Sequence, residues 1–260
     1  MCELLGLSFN RPVKMTASFT AFRQGGQRNP DGWGVTWYDK WGLFRLIKEP
    51  VRVDESELAL LLTKSLCIES NLFISHIRWS AGPPTEYVNT HPFYRKIGRK
   101  TWVLAHHGVG KNFRELDHSD SFVPMGTTAS ERIFCHLLDW IRSQAMTSPG
   151  RFFPELSLKL HEINKKGRMN LLFSDGEYLF AYHGTPKHKT LFYLERKPPY
   201  GIVTLKDDDI TIDLGKTKDS DEAGWIVATQ PLTTDEHWVQ MEPGELMVFE
   251  RGKKVFKGTV

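Results

Sequence analysis

Met1-Cys2-Glu3-Leu4-Leu5-Gly6-Leu7-Ser8-Phe9 opens the chain, and its reading decides the fold. Residues 2–9 are a short apolar run bounded by Asn10 and Pro12, the pattern of a buried strand whose first residue is a cysteine. Removal of Met1 leaves a thiol and a free α-amino group on one residue. Such an amine titrates near about 7.7–8.0 and the thiol near about 8.5, so the amine can accept the thiol proton without a separate histidine. A small apolar residue that merely opens a strand has the same appearance, and the rest of the chain must choose between the two.

The 260 residues are 40% hydrophobic and 25% charged, the composition of a globular protein with room for one large core. Thirty-four basic and 31 acidic residues give a formal net charge of +3 without a long run of either sign, so no nucleic-acid partner is expected. The densest basic cluster, Arg95, Lys96, Arg99 and Lys100, reads as a solvated turn. Three scattered cysteines, Cys2, Cys67 and Cys135, suit neither a disulfide framework nor a closed zinc site and are expected to stay thiols. The first ten residues lack the basic start and long apolar stretch of a secretion signal, and no segment approaches the roughly 18 apolar residues of a membrane span. A cytoplasmic location without membrane contact follows as the expectation.

Apolar periodicity places helices at 13–24, 55–66 and 128–146, the last opened by a Thr128/Glu131 capping box, with a further helix from Pro154 to Lys165. Strands are expected at 33–38, 43–48, 71–79 and 101–106. Residues 169–183 read as a hairpin about Asp175-Gly176, and shorter strands follow at 190–195, 201–205, 209–213, 224–229, 245–250 and 253–257. Two sheets flanked by two helical layers hold this order.

The chemistry concentrates where strands give way to loops. His76-Ile77-Arg78-Trp79-Ser80 ends an apolar strand, and a guanidinium there offers a rigid fork to a carboxylate; a structural ion pair is the alternative. Asn89-Thr90-His91-Pro92-Phe93 can return polar groups to the same edge, although Asn89 serves equally as a turn residue. In Trp102–Gly108 (WVLAHHG), adjacent residues face opposite sides of a regular strand, so His106 and His107 cannot both line one site. A metal on them would need ligands from other strands, and none is expected. Gly108 offers close backbone approach and an N–H for an oxyanion hole, or is a plain turn glycine. Asn29-Pro30-Asp31-Gly32-Trp33-Gly34 is a loop entering a strand that matches neither a Walker loop nor a dinucleotide fingerprint, so no cofactor is expected.

Taken in order, Cys2, the 29–34 loop, H-x-R-W at 76–79, N-T-H-P-F at 89–93, H-H-G at 106–108 and T-x-S-E at 128–131 resemble the class II glutamine amidotransferases, in particular bacterial stand-alone members that begin M-C-E-L-L-G. The likeness extends through A-T-Q-P-L at 228–232 and E-P-G-E at 242–245. It implies an α+β fold, the four-layer αββα sandwich of the Ntn hydrolases with two mainly antiparallel sheets, as one domain over residues 1–260 without a synthetase domain. It also implies attack of the terminal cysteine on a glutamine or γ-glutamyl side-chain amide through a thioester. Carried over by position, Cys2 is nucleophile and base and Arg78 holds the substrate α-carboxylate. Trp79 and Ser80 lie in the pocket-lining segment, and the Gly108 N–H serves the oxyanion.

Two positions depart from the family pattern. His107 replaces the asparagine of H-N-G, and Ala129 stands where an aspartate binds the α-ammonium. An imidazole N–H can still donate to an oxyanion, but a lost charge-assisted contact costs roughly 1.5–3 kcal/mol. The expected substrate is therefore glutamine-like with a masked or absent α-amino group, unless Asp120 or Glu131 supplies the carboxylate. The alternative is a weak or inactive Ntn-fold protein that binds a metabolite or serves as a partner subunit. Any use of released ammonia would require a second, synthase- or peptidase-like protein.

Overall fold

The computed structural model describes residues 2–64, 68–80, 82–144, 148–184, 189–206 and 210–260. Fifteen strands are described: β1 (Glu3–Lys14), β2 (Trp33–Tyr38), β3 (Phe44–Glu49), β4 (Glu69–Ile77), β5 (Phe93–Ile97), β6 (Lys100–Val109), β7 (Arg168–Ser174), β8 (Tyr178–His183), β9 (Phe192–Arg196), β10 (Ile202–Thr204), β11 (Thr211–Asp213), β12 (Gly224–Ala228), β13 (Val239–Gln240), β14 (Glu245–Glu250) and β15 (Lys253–Thr259). The helices are α1 (Thr16–Arg23), α2 (Glu57–Lys64), α3 (Ala129–Ser143), α4 (Pro149–Asn164) and the short α5 (Leu214–Thr217).

β1 lies at the centre of an antiparallel sheet ordered β13-β9-β12-β1-β4-β2-β3, and a second antiparallel sheet runs β15-β14-β8-β7-β6-β5. Alternation along β1 sets the layers. Leu5, Leu7 and Phe9 point outward to Phe19 and Phe22 of α1 and Leu62 of α2. Leu4 faces the other way, toward Val103 and Ala105 of β6 and Leu172 of β7. On the far side, Leu104, Leu171 and Phe173 meet Phe134, Leu138 and Leu160 of α3 and α4. Three apolar seams thus join four layers, αββα. Leu4, Leu5, Leu7 and Phe9 are each at most 1% exposed, and burying side chains of this size contributes roughly 1.5–3 kcal/mol apiece. Gly6 sits on the inner face, where an added Cβ would come within 3.1 Å of Leu172, so a bare position lets the two sheets approach.

Several elements differ in extent from the sequence reading. β1 continues past Pro12 because its pairing with β4 is interrupted between Ser8 and Val13, and the proline sits in that irregular stretch without a ladder donor to lose. The strand takes residues 13 and 14, so α1 starts at Thr16 and gives way to a 3₁₀ turn over Gln24–Arg28. Helix α4 begins a turn early, with Pro149 rather than Pro154 in the first turn. Strands β5 and β13 do not appear in the sequence reading; β5 takes Arg95 and Lys96, expected in a solvated turn, with Tyr94 and Lys96 exposed and Arg95 half-buried against Glu131, and β13 has two residues. The 169–183 hairpin forms about Gly176, which adopts φ 94°, while Asp175 Oδ1 accepts from the Glu177 and Tyr178 N–H groups. Cys2 and Cys135 are free thiols, and Cys67 lies outside the described residues. Among the described residues no helix is long and apolar enough to cross a membrane.

Candidate active site

Antiparallel register gathers the site at one end of both sheets. Glu3 and Trp33 both pair with Ile77, so Cys2, the loop before β2 and Arg78 emerge side by side. Two further bonds lock that loop to the strand end: Asp31 N–H to Arg78 O at 3.1 Å, and Arg78 N–H to Gly32 O at 2.7 Å. The Cys2 thiol is partly exposed. Its sulfur accepts from the Trp79 N–H and the thiol donates to the Trp79 carbonyl, both at 3.2 Å. Burial pushes the thiol's pKa up, with the Trp79 N–H and the charge of Arg78 acting against it.

Arg78 is 3% exposed, yet among the described residues it has no carboxylate within ion-pair distance. Its Nη1 donates to Asp31 O at 3.1 Å, and its Nη2 to Ser80 Oγ at 3.1 Å and Pro83 O at 3.0 Å. Neutral acceptors fix the fork. The Asp31 carboxylate takes the Ser80 N–H at 2.7 Å; it lies outside ion-pair distance of Arg78, although its charge still acts on the guanidinium. Asn89 fastens the neighbouring segments: its Oδ1 accepts from Thr127 N–H at 2.8 Å and its Nδ2 donates to Pro84 O at 3.3 Å.

A cavity of about 550 Å³ opens over Cys2. Arg78, Trp79, Ser80, Gly108 and Ala129 line it with Cys2, as do His91, His106, Phe113 and Arg114, and no carboxylate does so among the described residues. His107 does not line it. Alternation puts His106 with Trp102 and Leu104 toward the helices, whereas His107 falls with Val103 and Ala105 between the sheets, on the side of Leu4. Gly108 has no room for a side chain: a Cβ there would lie 2.0 Å from Arg168 O. Ala129 begins α3, and Thr128 caps it by accepting the Glu131 N–H at 3.1 Å. The Glu131 carboxylate turns away to Arg95 at 2.5 Å and Gly126 N–H at 2.7 Å. Neither it nor Asp120 lines the cavity. A second cavity of about 450 Å³ is lined by Arg196 and Glu236, already paired with each other, and by no cysteine or serine.

The sequence brought the His91 segment to this edge and left open which of His106 and His107 faces the site, choosing His107 for the oxyanion; it passed over Phe113 and Arg114. Strand parity could have favoured His106 once Leu104 was assigned to the helix side; Phe113 and Arg114 follow a turn whose direction no local pattern gives. Behind the wall, His76 stacks on His91 with ring centroids 4.1 Å apart, and His76 Nε2 contacts His106 O at 3.2 Å, a link between the two sheets. Burial lowers the His76 pKa to about 3 and that of His91 well below the usual value. An unfolded histidine titrates near about 6.5, so as pH falls below that value the unfolded state takes up protons that the folded state refuses. Denaturant titrations at pH 7.5 and 5.0 are expected to show unfolding free energy lower at pH 5.0, by about 2 kcal/mol from His76 alone. His76→Asn should flatten that dependence. Among the described residues no group of three or more His, Cys, Asp or Glu side chains is arranged to hold a metal.

An αββα sandwich with a cysteine at the start of a central strand and a cavity above it defines the Ntn-type amidotransferase class. Residues 1–260 match the family model for class II glutamine amidotransferases, and the chain belongs to that family. It is 36% identical over 261 residues to the Escherichia coli protein YafJ, covering 98% of this chain and 100% of that one. It is 43% identical over 256 residues to the Methanocaldococcus jannaschii protein MJ1515, with 98% and 71% covered. A crystal structure titled as a predicted glutamine amidotransferase from Pseudomonas aeruginosa superposes with a TM-score of 0.70 at 29% identity, covering 98% of this chain and 100% of that one. The phosphoribosylpyrophosphate amidotransferase of B. subtilis shares the fold at TM-score 0.64 and 16% identity, over 99% of this chain and 49% of its own.

Proposed function

We propose that the protein is an amide hydrolase in which Cys2, freed of Met1, attacks the side-chain amide of a glutamine-like substrate whose α-amino group is masked or absent. The observation that carries this reading is the joint lining of one cavity by Cys2 and a buried Arg78 free of ion pairs, with no carboxylate among the described lining residues. The guanidinium takes the α-carboxylate, and the segment Trp79-Ser80 closes that side of the pocket. The α-amine accepts the thiol proton, the thiolate attacks, and Gly108 N–H holds the oxyanion. His107 does not line the cavity, so in this reading the oxyanion rests on the Gly108 N–H. Ammonia leaves, and water then cleaves the thioester.

The missing carboxylate sets the substrate. A free α-ammonium would enter a wall formed by Ala129 and the positive end of α3, without the contact worth roughly 1.5–3 kcal/mol that an aspartate gives. N-acetylglutamine is therefore expected to exceed free glutamine in kcat/KM by at least roughly tenfold, and Ala129→Asp to narrow that gap. Ammonia release assays on both substrates decide it, and comparable rates on the wild type would sink the proposal. The two departures at His107 and Ala129 also suit a metabolite-binding or partner subunit without turnover. Intact mass separates the readings, because retained Met1 blocks the amine that the hydrolase requires. Co-purification with a synthase- or peptidase-like subunit would mark a partner-dependent amidotransferase.

A further inference from the structure

The wall of the cavity around Ala129 carries positive charge without a counterion. Arg114 lies in the 3₁₀ turn Lys111–Glu115, is exposed, lines the cavity and has no ion pair among the described residues. That turn packs on α3: Arg132 Nη1 donates to Leu116 O at 3.3 Å, and Phe113 sets its ring at 88° against His106, whose Nδ1 lies 2.8 Å from Ser130 Oγ. Arg114 and the first turn of α3 are thus parts of one surface. Glu131, the only acid in that turn, is held by Arg95 and Gly126. His91 lines the same cavity at 4% exposure, with neither ring nitrogen hydrogen-bonded among the described residues.

We propose that the substrate carries a second anion, a carboxylate at the end of an acyl arm on the α-nitrogen, seated between Arg114 and the N-terminal turn of α3. This rests on the reading of Cys2 as the nucleophile acting on a masked glutamine. The class is an N-(carboxyacyl)glutamine. A carboxylate on the arm gains a charge-assisted bond to the Arg114 guanidinium that an uncharged arm cannot make. The arm takes no part in the chemistry. The Sγ–Cδ bond forms, the Cδ–N bond breaks, and the amide nitrogen leaves as ammonia with the proton that came from the thiol. Water then adds to Cδ, the C–S bond breaks and the thiol regains a proton.

The test compares N-succinylglutamine with N-butyrylglutamine, arms of equal length that differ in the terminal carboxylate. Wild-type protein is expected to favour the succinyl compound by roughly ten- to hundredfold in kcat/KM, the span of a charge-assisted hydrogen bond. Arg114→Ala should collapse the ratio to about threefold or less, and Arg114→Lys should recover part of it. A wild-type ratio near one, or one that Arg114→Ala leaves untouched, overturns the second anion. The wider reading fails separately, if free glutamine outpaces N-butyrylglutamine. The same pairs are measured without turnover as protectants of Cys2 against iodoacetamide: protection by the succinyl compound at tenfold or more lower concentration supports the proposal, and equal protection overturns it.

Discussion

Cys2→Ala is expected to abolish amide hydrolysis, a loss of at least roughly 10⁴-fold, because Cys2 is the only thiol lining the cavity among the described residues and the proposed mechanism needs its thiol and α-amine on one residue. The variant should keep its fold. Cys2 Sγ bonds only to the Trp79 backbone and is partly exposed, so its removal leaves no sealed void among the three seams. A thermal midpoint within about 2 °C of wild type would make the loss chemical rather than structural. Two companions separate thiol from amine. Cys2→Ser keeps the amine and offers a far less acidic nucleophile. An uncleaved residue ahead of Cys2 keeps the thiol but removes its base, for which a loss of about 10²–10⁴-fold is expected. Incubation with substrate and mass analysis of the N-terminal peptide should find an acyl adduct on wild-type Cys2. Activity surviving Cys2→Ala would remove the mechanism altogether.

The strand that opens the chain was legible because its apolar residues fall on both faces, as they must between a helix layer and a second sheet. The place of Arg78 at the edge of the cavity was legible because a strand end followed by Gly82 and two prolines leaves a guanidinium at a loop edge. Its freedom from ion pairs was not, since that depends on Asp31 being engaged with Ser80 N–H, a contact across 49 residues. His106 and His107 show the limit of parity. Alternation says that they part, but which one faces the cavity follows from how β6 packs, with Trp102 and Leu104 against α3 and α4. The Glu131 rescue fails for a similar reason: the capping motif was visible, but the claim of Arg95 on that carboxylate comes from β5, a short strand where the sequence read a solvated turn. Arg114 lay outside every motif, and only the packing of a short turn on α3 brings it to the wall.

The second large effect is expected at Arg78. On the proposed reading Arg78→Ala removes the cation that fixes the α-carboxylate, and truncating one partner of a buried, hydrogen-bonded charge pair costs about 2–5 kcal/mol, so kcat/KM should fall by roughly 30- to 5,000-fold. The carboxylate lies away from the carbonyl under attack, which places most of the loss in KM, with a part in kcat where binding energy orients the amide. Arg78→Lys is not a rescue. The native fork already serves Asp31 O, Ser80 Oγ and Pro83 O while keeping a donor face for the ligand. An ammonium has three donors and no plane, so it cannot hold both the loop and a carboxylate. A substrate analogue lacking the α-carboxylate makes the test specific: wild type should handle it poorly, and Arg78→Ala should handle it no worse. If Arg78→Ala instead depresses turnover of the carboxylate-bearing and carboxylate-free amides alike, the guanidinium is a strut for the Asp31 and Pro83 loops, and the carboxylate needs another partner in the wall.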